Sequence, residues 1–167
     1  SLNENGKILN ITNASIKFQN INFSYKSNLN NIVLKDINID IAGRKMTALV
    51  GHSGSGKSTI LNLIPRIYDA DSGEILIDNQ KVQNLNLKSL RKEISIVDQN
   101  TTLFDDTIFN NIKYAKPEAS DEEIFTAAKI SMCTDFIEKL ENKFQTVIGE
   151  NGVKLSGGEK QRLSIAR

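Results

Sequence analysis

Cysteine is nearly absent from these 167 residues, with Cys133 standing alone. That excludes an intrachain disulfide framework and fits a reducing compartment. No apolar stretch approaches the roughly 18 residues of a membrane span, and the first residues carry no secretory apolar region. Neither sign of charge dominates: 21 Lys+Arg stand against 20 Asp+Glu, formal net +1. A module that binds a phosphodiester backbone would be far more lopsided. There is no internal repeat. What is present is ordinary globular material, 39% hydrophobic with ten glycines, enough for one core. On composition alone the chain reads as one soluble cytoplasmic domain.

Ser1–Asn13 is polar and asparagine-rich and reads as a linker or ragged lead-in. Isoleucine and asparagine are abundant throughout, a compositional bias rather than a functional signal. From Ala14 the pattern turns to period two, with Ile21, Phe23 and Tyr25 on one face and Ile37, Ile39 and Ile41 on another. A polar loop, Lys26–Asn31, separates these two predicted strands. Gly43 turns the chain into Lys45–Val50, an apolar run suited to a buried strand. Ile60, Leu61, Ile64 and Ile67 are then spaced for one helical face. Glu74–Asp78 and Ile94–Val97 read as further strands, with a hairpin turn at Asp78-Asn79. Ser120 and Glu123 have capping-box spacing ahead of a helix over Asp121–Met132, and a second helix carries Phe136–Leu140. A loop punctuated by Gly149 and Gly152 leads to a last helix near Ser156. Mixed elements of this kind imply an α/β domain with an antiparallel part near the N-terminus.

Gly51-His52-Ser53-Gly54-Ser55-Gly56-Lys57-Ser58 satisfies G-x-x-x-x-G-K-[ST] between a predicted strand and a predicted helix. Gly51, Gly54 and Gly56 let successive N–H groups, those of Ser53 and Ser55 among them, converge on phosphate oxygens. The helix start adds its positive dipole end. Lys57 supplies a point charge to the β- and γ-phosphates, the Ser58 hydroxyl coordinates Mg²⁺, and Thr59 offers a hydroxyl near the α-phosphate. The pattern predicts ATP with Mg²⁺. His52, the single histidine, occupies a variable place in the motif that needs no imidazole.

A second stretch, Leu155-Ser156-Gly157-Gly158-Glu159-Lys160-Gln161-Arg162, opens the last predicted helix. Ser156 and Glu159 have capping-box spacing. Two glycines in a first turn weaken a helix by roughly 1 kcal/mol each relative to alanine, a cost that makes sense where bare backbone must approach something closely. The chain therefore carries two predicted anion-binding helix ends.

With both stretches in place the sequence resembles the ATP-binding cassette family over essentially all of Ala14–Arg167. Gly51–Ser58 resembles its Walker A loop and Leu155–Arg162 its LSGGQ signature, with Glu159 where glutamine is commoner. The resemblance implies a P-loop NTPase-type sheet with an N-terminal antiparallel β part and a helical segment carrying the signature. Tyr25 matches the aromatic that stacks on adenine. Gln99 matches the Q-loop glutamine that touches Mg²⁺ and the attacking water and senses the membrane domain; Asp98 before it is a modest departure. Thr146–Gly152 is similar to the x-loop of exporters, with Glu150 as its polar contact to the transmembrane domain. Together with Leu103–Ile108 and Asn111-Ile112, these stretches are most similar to the lipid A-core flippase subgroup. In that family two nucleotide-binding domains meet head to tail. ATP then lies between one chain's Walker A loop and the other's Ser156, Gly157, Gly158 and Glu159.

The family also uses a Walker B aspartate, a catalytic glutamate, a D-loop and a switch histidine. Asp78 is followed by Asn79 and Asp98 by Gln99, so neither supplies the carboxylate pair. The resemblance therefore implies a linker from a transmembrane domain over residues 1–13 and a partial cassette over residues 14–167, attached in its parent to the cytoplasmic face of a membrane. The parent would export a lipid or other amphiphile, and these residues alone would not turn over ATP. Three alternatives stay open here: a soluble cassette ATPase acting on ribosomes or DNA, a small-molecule P-loop kinase, and a binding-only module.

Overall fold

The computed structural model describes residues 6–26, 32–98 and 102–167. Two compact units divide the chain, Ser1–Ser95 and Ile96–Arg167. Gln99, the start of the N-terminal segment and most of the Lys26–Asn31 loop lie outside the described residues.

The first unit is built on an antiparallel sheet. β1 (Ile16–Ser24) is flanked by β2 (Ile32–Ile41) and β3 (Ser72–Ile77), and β3 pairs with the short β4 (Gln80–Lys81). Phe18 lies opposite Ile39 on one side and Ile75 on the other, the β-branched and aromatic composition that suits a pleated, half-buried surface. Period two holds from Ile21 to Phe23, but Phe18 and Ile21 are both buried three residues apart. A register shift between them absorbs the extra residue, with Asn20 at φ 50°. Asn38 Oδ1 accepts the Asn20 N–H at 2.9 Å, and Asn22 Oδ1 accepts the Asp36 N–H at 3.0 Å. Asparagine, expected to be mere compositional bias, here supplies the left-handed backbone and the amide oxygens that complete an irregular ladder.

The Asp78-Asn79 hairpin forms as expected, with φ 47° and 63° at its two turn residues and Ile77 opposite Gln80. Positive φ at both central positions is the two-residue turn that matches strand twist. Asp78 also ties down the N-terminal segment. Its carboxylate accepts the N–H groups of Thr12, Asn13, Ala14 and Ser15. Gln80 exchanges two hydrogen bonds with the Asn10 backbone, Lys7 bridges Leu85, and Leu9 is buried. The described part of the expected ragged lead-in is thus pinned to the sheet.

Two predicted strands do not form. Lys45–Val50 and Ile94–Val97 carry no ladder, Met46 is fully exposed, and Ile96 and Val97 are about half exposed. An apolar run becomes a strand only when a neighbour supplies the other half of the hydrogen bonds. Neither run has one among the described residues. The helix after the glycine loop, α1 (Lys57–Leu63), buries Ile60, Leu63 and Ile64, whereas Leu61 and Ile67 are exposed. Pro65 and a left-handed Arg66 (φ 55°) end it one turn earlier than the spacing implied. Ile67 N–H returns to Asn62 O and Arg66 N–H to Leu63 O, a Schellman closure. A following short helix, α2 (Leu87–Lys92), adds Leu90 to the core.

The second unit is helical: α3 (Ile108–Lys113), α4 (Asp121–Ile130), α5 (Thr134–Ile137) and α6 (Gly157–Ala166). Ile108, Ile124, Ala128, Cys133, Ile137, Ile148 and Leu163 are its most deeply buried apolar residues. The predicted capping box at Ser120 and Glu123 forms in full. The predicted helix over Phe136–Leu140 is instead a single turn that starts earlier, at Thr134, and ends at Ile137, burying Phe136 and Ile137. Among the described residues no helix is long and apolar enough to cross a membrane.

Candidate nucleotide-binding site

In the first unit, the loop of residues 51–55 is exposed and runs into α1 through Gly56, whose φ of 85° makes it a left-handed N-cap. A Cβ at Gly56 would lie 2.6 Å from Leu34 Cδ2, so close packing on β2 and backbone conformation both demand glycine. Gly54 also has φ 80°, but open space surrounds its Cβ position. Its glycine is required by conformation alone, and the space beside it stays free.

Lys57 lies back over the loop. Its Nζ donates to Gly51 O at 2.9 Å, His52 O at 2.7 Å and Ser55 Oγ at 3.3 Å. An ammonium has three donors, and here all three rest on neutral oxygens of the same loop. His52 contributes its carbonyl to this arrangement. Ser53, Ser55 and Ser58 are exposed, and Thr59 is buried at 5% exposure. Ser58 is the second residue of α1, in the turn that directly follows the loop. Among the described residues no cluster of three His, Cys, Asp or Glu side chains is placed to hold a metal. An ion here would depend on Ser58 and on phosphate oxygens, the sparse protein ligation that Mg²⁺ favours.

Tyr25 follows β1 and stands beside α1. Its ring meets Phe23 edge to face at 4.9 Å and Tyr68 at 5.2 Å, and its hydroxyl lies 2.9 Å from Thr59 Oγ1. These rings line a cleft of 560 Å³ with Ile67, Asp69 and Asp71. The sequence singled out Tyr25 and Thr59 separately; nothing in their 34-residue separation signalled that they touch. Tyr68 was not anticipated, because its position just beyond a helix end carries no pattern of its own.

The second unit contains the signature stretch. Ser156, Gly157 and Gly158 are exposed, and Ser156 caps α6. The expected capping box is complete: Glu159 Oε2 accepts both the N–H and the hydroxyl of Ser156 at 2.7 Å. These bonds, the hydroxyl's first, hold the Glu159 pKa below the ordinary glutamate value against a smaller effect of burial. The Thr146–Gly152 loop is anchored rather than free. Thr107 and Val147 form an antiparallel bridge, Ile148 is fully buried, and Ile148 N–H donates to Asp106 O. Glu150 is exposed at its tip.

Asn111, which enters the sequence reading only as part of the resemblance, ties the Phe104–Thr107 segment to the start of α3. Asn111 is 1% exposed; its Oδ1 accepts the Phe104 N–H at 2.9 Å and its Nδ2 donates to Phe104 O and Thr107 O. Its structural role had one local signal, a polar residue between Ile108 and Ile112 on the buried side of a short helix.

Residues 34–167 match the family model described as ABC transporter. The ATP-dependent lipid A-core flippase of Pectobacterium atrosepticum is 53% identical over 155 residues, covering 92% of this chain and 26% of that protein. The flippase of Escherichia coli K12 is 47% identical over 98% of this chain and 28% of its own length. The solved structure of a bacterial Atm1-family ABC exporter with ATP bound aligns with a TM-score of 0.92 at 42% identity, over 97% of this chain and 28% of that one. The chain thus spans about a quarter of the length of the relatives it matches. The α/β class and antiparallel N-terminal sheet expected from the sequence agree with that neighbour.

Proposed function

This chain belongs to the ABC transporter family, and from that membership we propose that it is the ATP-binding part of an exporter that moves a lipid or other amphiphile. The observation that carries the nucleotide reading is Lys57. Its three donors rest on Gly51 O, His52 O and Ser55 Oγ, neutral acceptors that an anionic phosphate would displace with a stronger, charge-assisted bond. The loop amides and the first turn of α1 would then hold the phosphates. Ser58 would help hold Mg²⁺, which supplies charge neutralisation at the phosphates when bound. Tyr25 is the proposed adenine platform, and Gln99, outside the described residues, the proposed water- and Mg²⁺-contacting group.

In the parent protein, Ser156, Gly157, Gly158 and Glu159 would face the nucleotide of a second cassette in a head-to-tail dimer. The Gln99 loop and Thr146–Gly152 would meet a transmembrane domain at the cytoplasmic face of the membrane. Residues 1–13 would connect to that domain, and residues 14–167 would form the cassette portion. Hydrolysis in the parent would drive export. The 167 residues by themselves should bind without turnover, since Asp78 is followed by Asn79 and Asp98 by Gln99 and neither supplies the carboxylate pair that the family uses.

Calorimetric titration of the chain with MgATP tests the first step. Binding that disappears in Lys57→Ala and weakens in Tyr25→Ala supports it; equal heats in all three proteins refute it. For the parent, ATP-dependent movement of a labelled lipid in proteoliposomes, lost with Lys57→Ala, tests export.

A further inference from the structure

The hydroxyl of Tyr25 leaves the ring cluster and meets Thr59 Oγ1 at 2.9 Å. Its ring is fixed edge to face against Phe23 (83°) and Tyr68 (88°), so the hydroxyl reaches Thr59 from a held position. Thr59 is the third residue of α1 and is 5% exposed, so water has little access to compete. Either oxygen of the pair is able to donate, and each hydroxyl has one hydrogen. A phosphate oxygen only accepts. If Thr59 is to bind phosphate through its hydroxyl, its hydrogen must point there, and Tyr25 must be the donor within the pair.

We infer that Tyr25 is a positioning residue through its hydroxyl, separately from any stacking by its ring. It donates to Thr59 Oγ1 and turns the Thr59 hydrogen toward a nucleotide phosphate. The inference rests on the nucleotide-binding reading above and adds a coupling to it. A donor feeding a donor polarises both bonds, so the aromatic side and the phosphate side of the site act as one unit.

The test is a double-mutant cycle on the chain, with MgATP affinity read by calorimetry and folding followed by thermal melting. Tyr25→Phe keeps the ring and removes the hydroxyl; it should weaken MgATP binding about three- to tenfold, the usual net value of one hydrogen bond. Thr59→Val should weaken binding at least as much, and Thr59→Ser, which restores the oxygen, should stay within about twofold of the parent sequence. The Tyr25→Phe/Thr59→Val double variant should bind no more weakly than Thr59→Val alone, because the tyrosine hydroxyl acts only through Thr59. Unchanged affinity in Tyr25→Phe overturns the coupling, as does a double variant whose loss is the product of the two single losses. An unsubstituted chain that takes up no MgATP refutes the underlying nucleotide-binding reading, and the coupling with it.

Discussion

Asp78 and Ser15 are joined twice through one oxygen: Asp78 Oδ1 accepts the Ser15 N–H at 2.8 Å and the Ser15 hydroxyl at 2.9 Å. The other carboxylate oxygen collects the N–H groups of Thr12, Asn13 and Ala14. A hairpin turn thereby becomes the anchor of the segment that leads into the sheet.

Replacing Asp78 with alanine should cost about 2 kcal/mol, in the range of hydrogen bonds to a charged group, and should free residues 12–15 to amide hydrogen exchange. Burial pushes the Asp78 pKa up, and the four backbone N–H donors outweigh it, so the carboxyl titrates well below the ordinary range. A depressed folded pKa contributes stability that is fully present above the unfolded value of about 3.9 and is lost as pH falls through the folded value. Urea denaturation should therefore show a constant gap between Asp78→Ala and the unsubstituted chain from neutral pH to about pH 5. The gap should close only in stronger acid; one that closed near neutrality would contradict the clamp.

The two left-handed loop glycines should respond differently to the same substitution. Gly54→Ala meets only the backbone penalty, about 1–2 kcal/mol. Gly56→Ala meets that penalty and a Cβ 2.6 Å from Leu34 Cδ2, adding about 1–3 kcal/mol of overpacking. Thermal melts should rank Gly56→Ala below Gly54→Ala; the reverse order would remove the β2 contact as the reason for glycine.

Ser156→Ala removes the cap of α6 and both contacts of its hydroxyl with Glu159. A loss of about 1 kcal/mol is expected. Because the Glu159 pKa is held down by Ser156, the carboxylate's contribution is present above the ordinary glutamate pKa and lost as pH drops through the lowered one. Denaturation at pH 7 should separate the two proteins more widely than denaturation at pH 3.

Asn111→Asp keeps an acceptor for the Phe104 N–H but cannot donate to Phe104 O and Thr107 O, and it places a charge at a 1% exposed position. Destabilisation of at least about 3 kcal/mol is expected. Asn111→Leu should cost about 1–3 kcal/mol, since only the unpaired backbone groups remain. Equal stability of the two variants would show that the carboxylate reaches solvent.

What the sequence determined was local. Ser120 with Glu123, Ser156 with Glu159, and Asp78-Asn79 each act within four residues, where spacing alone fixes which groups can meet. The glycine loop from Gly51 to Ser58 was legible for the same reason: its chemistry is carried by backbone conformation and by one lysine next to it. What the tertiary structure decided lies between residues far apart in the chain. Whether Lys45–Val50 makes a strand depends on a neighbour, which no property of the run itself supplies. Tyr25 finds Thr59, Asp78 gathers residues 12–15, and Asn111 staples Phe104 to Thr107. Such bonds form because the fold buries polar groups that must then be satisfied. The partner is chosen by whichever side chain packing brings within about 3 Å, and period and spacing do not encode that choice.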